Sequence, residues 1–206
     1  MTADPLFADL ITPSLLLDEV KMMQNIDRLT NHAQMLGVSL RPHLKTAKSV
    51  DIARRLLAGG NGPATVSTLA EADVFFAAGF RDILYAVGIA PQKLSRVLAL
   101  RASGCDLSVI LDNVAQAQAV AKASRDAGDP VPVLIEIDSD GHRGGLRPDD
   151  PNLINIGRIL HEGGADLRGV MTHAGESYTV VGKEAHAKFA EIERAAAVDA
   201  AQALRA

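Results

Sequence analysis

Seven short runs of β-type residues punctuate the chain, at 13–18, 38–45, 63–68, 83–87, 107–111, 131–138 and 169–174. The segments between them carry apolar residues at helical spacing. Residues 114–127 read as an alanine-rich helix, with Asp112 placed to cap its start and Gly128 to end it. Asp149 and Asp150 open another, which carries Leu153, Ile156, Ile159 and Leu160 and stops at Gly163 and Gly164. Residues 183–206 form a last, long helical pattern. Strands alternating with helices predict a parallel sheet, and several runs are apolar throughout, as strands covered on both faces should be.

From Val38 onward the pattern supplies six strand–helix units. A doubly wound sheet and a closed barrel both satisfy it. No G-x-G-x-x-G follows a strand, which weakens the dinucleotide-binding version. Polar residues favour the barrel, because His43, Lys45, Ser67, Thr68, Glu136, Asp138 and His173 fall at or near strand carboxyl ends, where barrel active sites are built. An eight-stranded barrel takes about 250 residues. The expectation is therefore an α/β chain of the (β/α)8 TIM type, truncated after about six units, with residues 1–206 as one incomplete barrel domain.

Three stretches carry candidate chemistry. In the run at 38–45, alternation puts Leu40, Pro42 and Leu44 on one face and Arg41, His43 and Lys45 on the other. Three basic groups pointing into a barrel are costly unless something uses or neutralises them. A desolvated lysine crowded by cations is biased toward the neutral amine that attacks aldehydes. An exposed strand-end lysine, with Arg41 paired to Glu136, explains the same residues equally well. In the second stretch, Glu136 and Asp138 fall on the inner face and a glycine-rich loop carries Arg143 across the strand mouth; an ordinary surface turn is the plainer alternative. The third is a strand ending in His173, followed by a small-residue loop to Tyr178. His32, His142, His161 and His186 read as solvated, and no metal-ligand spacing is present.

Composition narrows the function classes. With 21 basic and 25 acidic side chains, the net charge of −4 gives no footprint for nucleic acid or an anionic membrane. Five Phe, two Tyr and no Trp leave little for base stacking. The single cysteine, Cys105, excludes an internal disulfide and reads as a small buried apolar residue. The first twenty residues lack a basic start and an apolar stretch, and no run approaches the roughly 18 residues of a spanning helix. Cytoplasmic location is the expectation.

Together and in this order, Arg41-Pro42-His43-Leu44-Lys45-Thr46, the blocks 65–72 and 82–87, the 136–145 block and Thr172-His173-Ala174-Gly175 resemble the fold-type III pyridoxal-phosphate enzymes, whose barrel is the alanine racemase N-terminal domain. The likeness is greatest to the D-serine dehydratase and D-threonine aldolase branch, and within it to D-threo-3-hydroxyaspartate dehydratases. The resemblance implies that Lys45 carries pyridoxal 5'-phosphate as an aldimine and takes the substrate's Cα proton. It implies that Arg143 hydrogen-bonds the phenolic-oxygen side of the ring and that His173 packs on the pyridine face. His43 and Tyr178 are further cofactor-site candidates. One departure is Ala47, where many relatives have histidine.

The implied activity is lyase chemistry on D-β-hydroxy amino acids, most simply dehydration and deamination. Retro-aldol cleavage is one alternative, and a non-catalytic cofactor carrier or inactive fragment is another. Full-length relatives are expected to be homodimers using a divalent metal, Zn or Mn, whose ligands are not in this chain.

Overall fold

The computed structural model describes residues 7–206. Two compact units divide the chain, 1–40 and 41–206. The first contains α1 (Glu19–Leu36), which starts where the Asp18 side chain accepts a hydrogen bond from the Lys21 amide. It ends at Gly37, whose φ of 65° is the left-handed conformation that closes helices. The run at 13–18, expected as a strand, joins no ladder; its last residue serves as the cap of α1.

The second unit holds α2 (Val50–Leu56), β1 (Ala64–Val66), α3 (Leu69–Ala77), β2 (Asp82–Gly88), α4 (Leu94–Ala102), β3 (Asp106–Leu111), α5 (Val114–Ala127), β4 (Pro132–Ile137), α6 (Asn152–Glu162), β5 (Asp166–Thr172) and α7 (Lys183–Arg205). All five strands are parallel, in the order β1-β2-β3-β4-β5. A doubly wound sheet reverses its strand order at a switch point, and this one does not. With right-handed crossovers, sequential order places every connecting helix on the same face. The other face is the inside of a barrel arc.

The arc has five strands where six units were expected. The run at 38–45 adds only a single parallel bridge, His43 to Thr65. Pro42 accepts from the Thr65 amide at 2.9 Å and Leu44 donates to the Thr65 carbonyl at 2.9 Å, but Pro42 has no N–H with which to extend the ladder. The chain then turns, closed by the Lys48 amide on the Leu44 carbonyl at 2.9 Å.

Alternation along β4 sets the two faces. Val133, Ile135 and Ile137 are fully buried in the same core as Leu153, Ile156 and Leu160 of α6, whereas Leu134 and Glu136 have the opposite parity. At the amino ends of the strands the charges are matched. Arg41 grips Asp82 through two bonds of 2.7 and 2.8 Å, and Arg168 bonds Asp106 at 2.9 and 3.0 Å and Asp166 at 2.9 Å. Arg41 is thus paired to Asp82 at the floor of the arc and not to Glu136. The cap of α5 is Asn113, whose Oδ1 accepts from the Gln116 amide, and not Asp112. Cys105 is 3% exposed, as expected for an apolar role, and burial pushes its thiol up to about 11. Among the described residues no helix is long and apolar enough to cross a membrane.

Candidate functional site

A cavity of about 500 Å³ opens on the inner face of the arc, within the size range of small-molecule sites. Its titratable lining is Arg41, His43, Lys45, Glu136, Arg143 and His173. Leu84, Ala86 and Met171 contribute apolar wall. Four of the five residues picked out by sequence therefore share one cavity: His43, Lys45, Arg143 and His173. Tyr178, the fifth, is 76% exposed and lies outside the lining; its ring centroid is 6.0 Å from that of His173.

Lys45 is exposed, so of the two readings its neighbours in sequence left open the exposed lysine holds and the desolvated one does not. Among the described residues its Nζ makes no hydrogen bond or ion pair, which leaves the amine available to a ligand. Its backbone amide bonds the Nδ1 of His43 at 3.3 Å, and the Nε2 of His43 lies 3.3 Å from Ser67 Oγ. Burial holds the His43 imidazole below its ordinary pKa, and the Lys45 charge adds to this. Burial does the same to His173, reinforced by Arg143 and Lys45. Both rings are thereby biased to the neutral form.

Across the cavity, Glu136 is pushed the other way. Burial and the nearby Asp112 carboxylate raise its pKa, against the pull of Arg143. Asp112 accepts from the Gly145 amide at 3.2 Å, so the residue expected as a helix cap instead holds the loop after β4. Asp138, also expected on the inner face, is spent within that loop, accepting from the amides of Gly141 and His142 at 2.9 and 3.3 Å. The loop is clipped to the segment after β5: Asp140 accepts from the Glu176 amide at 2.9 Å, and Glu176 lies 3.1 Å from His142 Nδ1. His142 was expected to be solvated, and a partner 34 residues away was not visible in sequence. Gly175 lies directly beneath Arg143, and a Cβ there would meet the arginine's Cγ at 2.6 Å.

A second group supports Lys45 from behind. Glu71 in the first turn of α3 accepts from the Ser67 amide at 2.8 Å, and its other oxygen lies 3.3 Å from Lys48 Nζ. Its burial raises the carboxyl's pKa, but the Ser67 amide and Lys48 outweigh that and leave it lowered. Lys48 has φ of 47°, the left-handed region, at the close of the turn that carries Lys45. Ser67 and Glu71 lay in a block noted for its resemblance, but a lone serine and a helix-start glutamate carry no chemical signal by themselves.

Residues 17–206 match the family described as alanine racemase, N-terminal domain. The chain belongs to that family. It is 53% identical over 196 residues to D-threo-3-hydroxyaspartate dehydratase of Delftia sp. (strain HT23), covering 95% of this chain and 52% of the Delftia protein. The solved structure of that enzyme superposes with a TM-score of 0.93 over 96% of this chain and 52% of the other. D-serine dehydratase of Dictyostelium discoideum is 30% identical over 82% of this chain and 46% of its own length. D-threonine aldolase of Arthrobacter sp. is 32% identical over 98% of this chain and 53% of its own length. The chain thus spans about half the length of these relatives.

The lining suits an aldehyde-bearing aromatic cofactor such as pyridoxal phosphate. It offers an unpartnered primary amine that can take an aldehyde carbon, a guanidinium that can pair with an oxyanion, and two imidazoles.

Proposed function

We propose that the cavity binds pyridoxal 5'-phosphate through Lys45 and that the protein is a lyase acting on D-β-hydroxy amino acids, with dehydration and deamination of a D-threo-3-hydroxyaspartate- or D-serine-type substrate as its reaction. The observation that carries this reading is the free amine of Lys45 opening into a cavity walled by Arg143 and His173. When bound, the cofactor supplies an electron sink for negative charge at a substrate's Cα. Arg143 would be the donor to its phenolic oxygen, and His173, biased to the neutral form, would help to hold its ring.

Lys45, as the free amine, is the base that accepts the Cα proton and keeps it at Nζ. Neutral His43 and His173 add no further positive charge around that amine. The β-hydroxyl would leave as water, taking up the proton that Lys45 Nζ holds, and the released enamine would tautomerise to an imine that water hydrolyses to a 2-keto acid and ammonia. Among the described residues no group of three or more His, Cys, Asp or Glu side chains is placed to ligate the divalent metal that the resemblance implies. Homodimerisation and a cytoplasmic setting belong to the same proposal.

Retro-aldol cleavage is kept as a second reading by the 32% identity to an aldolase, against 53% to a dehydratase. Incubation with D-threo-3-hydroxyaspartate, D-serine and D-threonine separates the two. Keto acid with ammonia supports dehydration; glycine with an aldehyde sinks it in favour of cleavage.

A further inference from the structure

Lys45 sits on a tight turn, and that turn is tied at both ends to the start of α3. At its end, Lys48 reaches Glu71. At its beginning, the hydrogen bonds define the protonation of His43. The Lys45 amide has only a proton to give, so the Nδ1 it meets at 3.3 Å must be the bare acceptor nitrogen. The neutral ring then carries its proton on Nε2, which donates to Ser67 Oγ at 3.3 Å. Ser67 is itself anchored, its amide held by Glu71 at 2.8 Å.

We propose that His43 is a positioning residue: as the Nε2–H tautomer it straps the Lys45 backbone to Ser67 and so aims the Lys45 amine into the cavity. A proton on Nδ1 would break the strap, since a doubly protonated ring cannot accept the Lys45 N–H. The titratable groups facing His43 are Lys45, His173 and Glu71. Two of the three disfavour that second proton, and the carboxylate favours it. The strap differs from a role in touching the ligand, because its point of action is the main chain of Lys45.

The inference rests on Lys45 being the aldehyde-binding amine, but half of its test does not. Nitrogen-15 chemical shifts of the His43 ring in the chain without cofactor report the tautomer directly. The expected result is an Nε2–H ring at pH 7 whose Nε2 resonance shifts in Ser67→Ala as its acceptor is lost, while Nδ1 stays unprotonated. An Nδ1–H ring, or an Nε2 resonance unmoved by Ser67→Ala, overturns the proposal.

The second half reads the rate of pyridoxal-phosphate adduct formation at Lys45, trapped by borohydride and mapped by mass spectrometry. Asn places its Oδ1 near the position of Nδ1 and keeps the acceptor, whereas Gln reaches toward Ser67 and abandons the Lys45 amide. His43→Asn should therefore recover most of the rate lost in His43→Ala, and His43→Gln should stay about three- to tenfold slow, the effect of about one hydrogen bond. Equal rates in the Asn and Gln variants, both folded by thermal melt, refute the strap. If the wild type forms no Lys45 adduct, the function reading fails while the tautomer measurement still decides the arrangement of His43.

Discussion

Gly175→Ala tests whether Arg143 is held where the cofactor reading needs it. The glycine does not have a left-handed φ, so alanine adds no backbone strain there. Its Cβ would lie 2.6 Å from Arg143 Cγ and 2.7 Å from Cδ, against normal carbon–carbon contacts of about 3.5–4.0 Å. The arginine stem must therefore move by about 1 Å, and the guanidinium at its end by at least as much. A hydrogen bond to a charged group is worth about 1.5–3 kcal/mol, so losing the one from Arg143 to the phenolic oxygen weakens pyridoxal-phosphate binding about 10- to 150-fold. The assay is a spectrophotometric titration of the cofactor, with thermal unfolding recorded alongside. Gly182→Ala is the control. It has φ of 95° with nothing within 4 Å of the added carbon, so it carries backbone strain alone and leaves affinity unchanged. Gly175→Ala binding within twofold of wild type would refute the placement of Arg143.

Other outcomes follow from the same structure. His43 and His173 have folded pKa values below their ordinary 6.5, so the unfolded chain binds more protons and stability falls as pH drops below about 6.5. Melting temperatures across pH 5–8 should show this slope, and it should flatten in His173→Gln. Glu136 has the opposite sign, its raised pKa meaning that stability is lost as pH climbs above about 4.5. Glu136→Gln should therefore raise the melting temperature at pH 7, with the gain shrinking below pH 5. Arg168→Met removes the cation between Asp106 and Asp166 at half-exposed positions, and should lower stability by about 1 kcal/mol, a melting shift of about 2–4 °C. Leu107→Ala, fully buried near the start of β3, should cost about 2–5 kcal/mol in a denaturant titration.

Much of the arc was legible because its signals are local. Residues 114–127 carry helical spacing and a closing glycine, and α5 occupies those residues. Inner and outer positions on β4 followed from period-two alternation, which is why Glu136 could be assigned to the cavity. Arg41, His43 and Lys45 do share the cavity as alternation required, although their segment contributes one bridge and a turn in place of a strand. Extended backbone around Pro42 preserved the side-chain parity while the proline denied the ladder. What spacing left open or misassigned were matters of partner choice. Arg41 chose Asp82 over Glu136, and Asp112 chose a loop amide over a helix amide. Each choice depends on distances between segments that spacing along one segment does not encode. The choice between a buried and an exposed Lys45 was open for the same reason: a turn at the rim exposes a side chain that a continuing strand would have enclosed.

The claim on which the rest depends is that Lys45 is the residue that takes up the aldehyde. Pyridoxal phosphate trapped on the chain with borohydride, followed by peptide mapping, tests it most directly. A pyridoxyl group should appear on Lys45 in the wild type and be lost in a folded Lys45→Ala. Labelling centred on another lysine, or undiminished labelling of the Lys45→Ala protein, would contradict it.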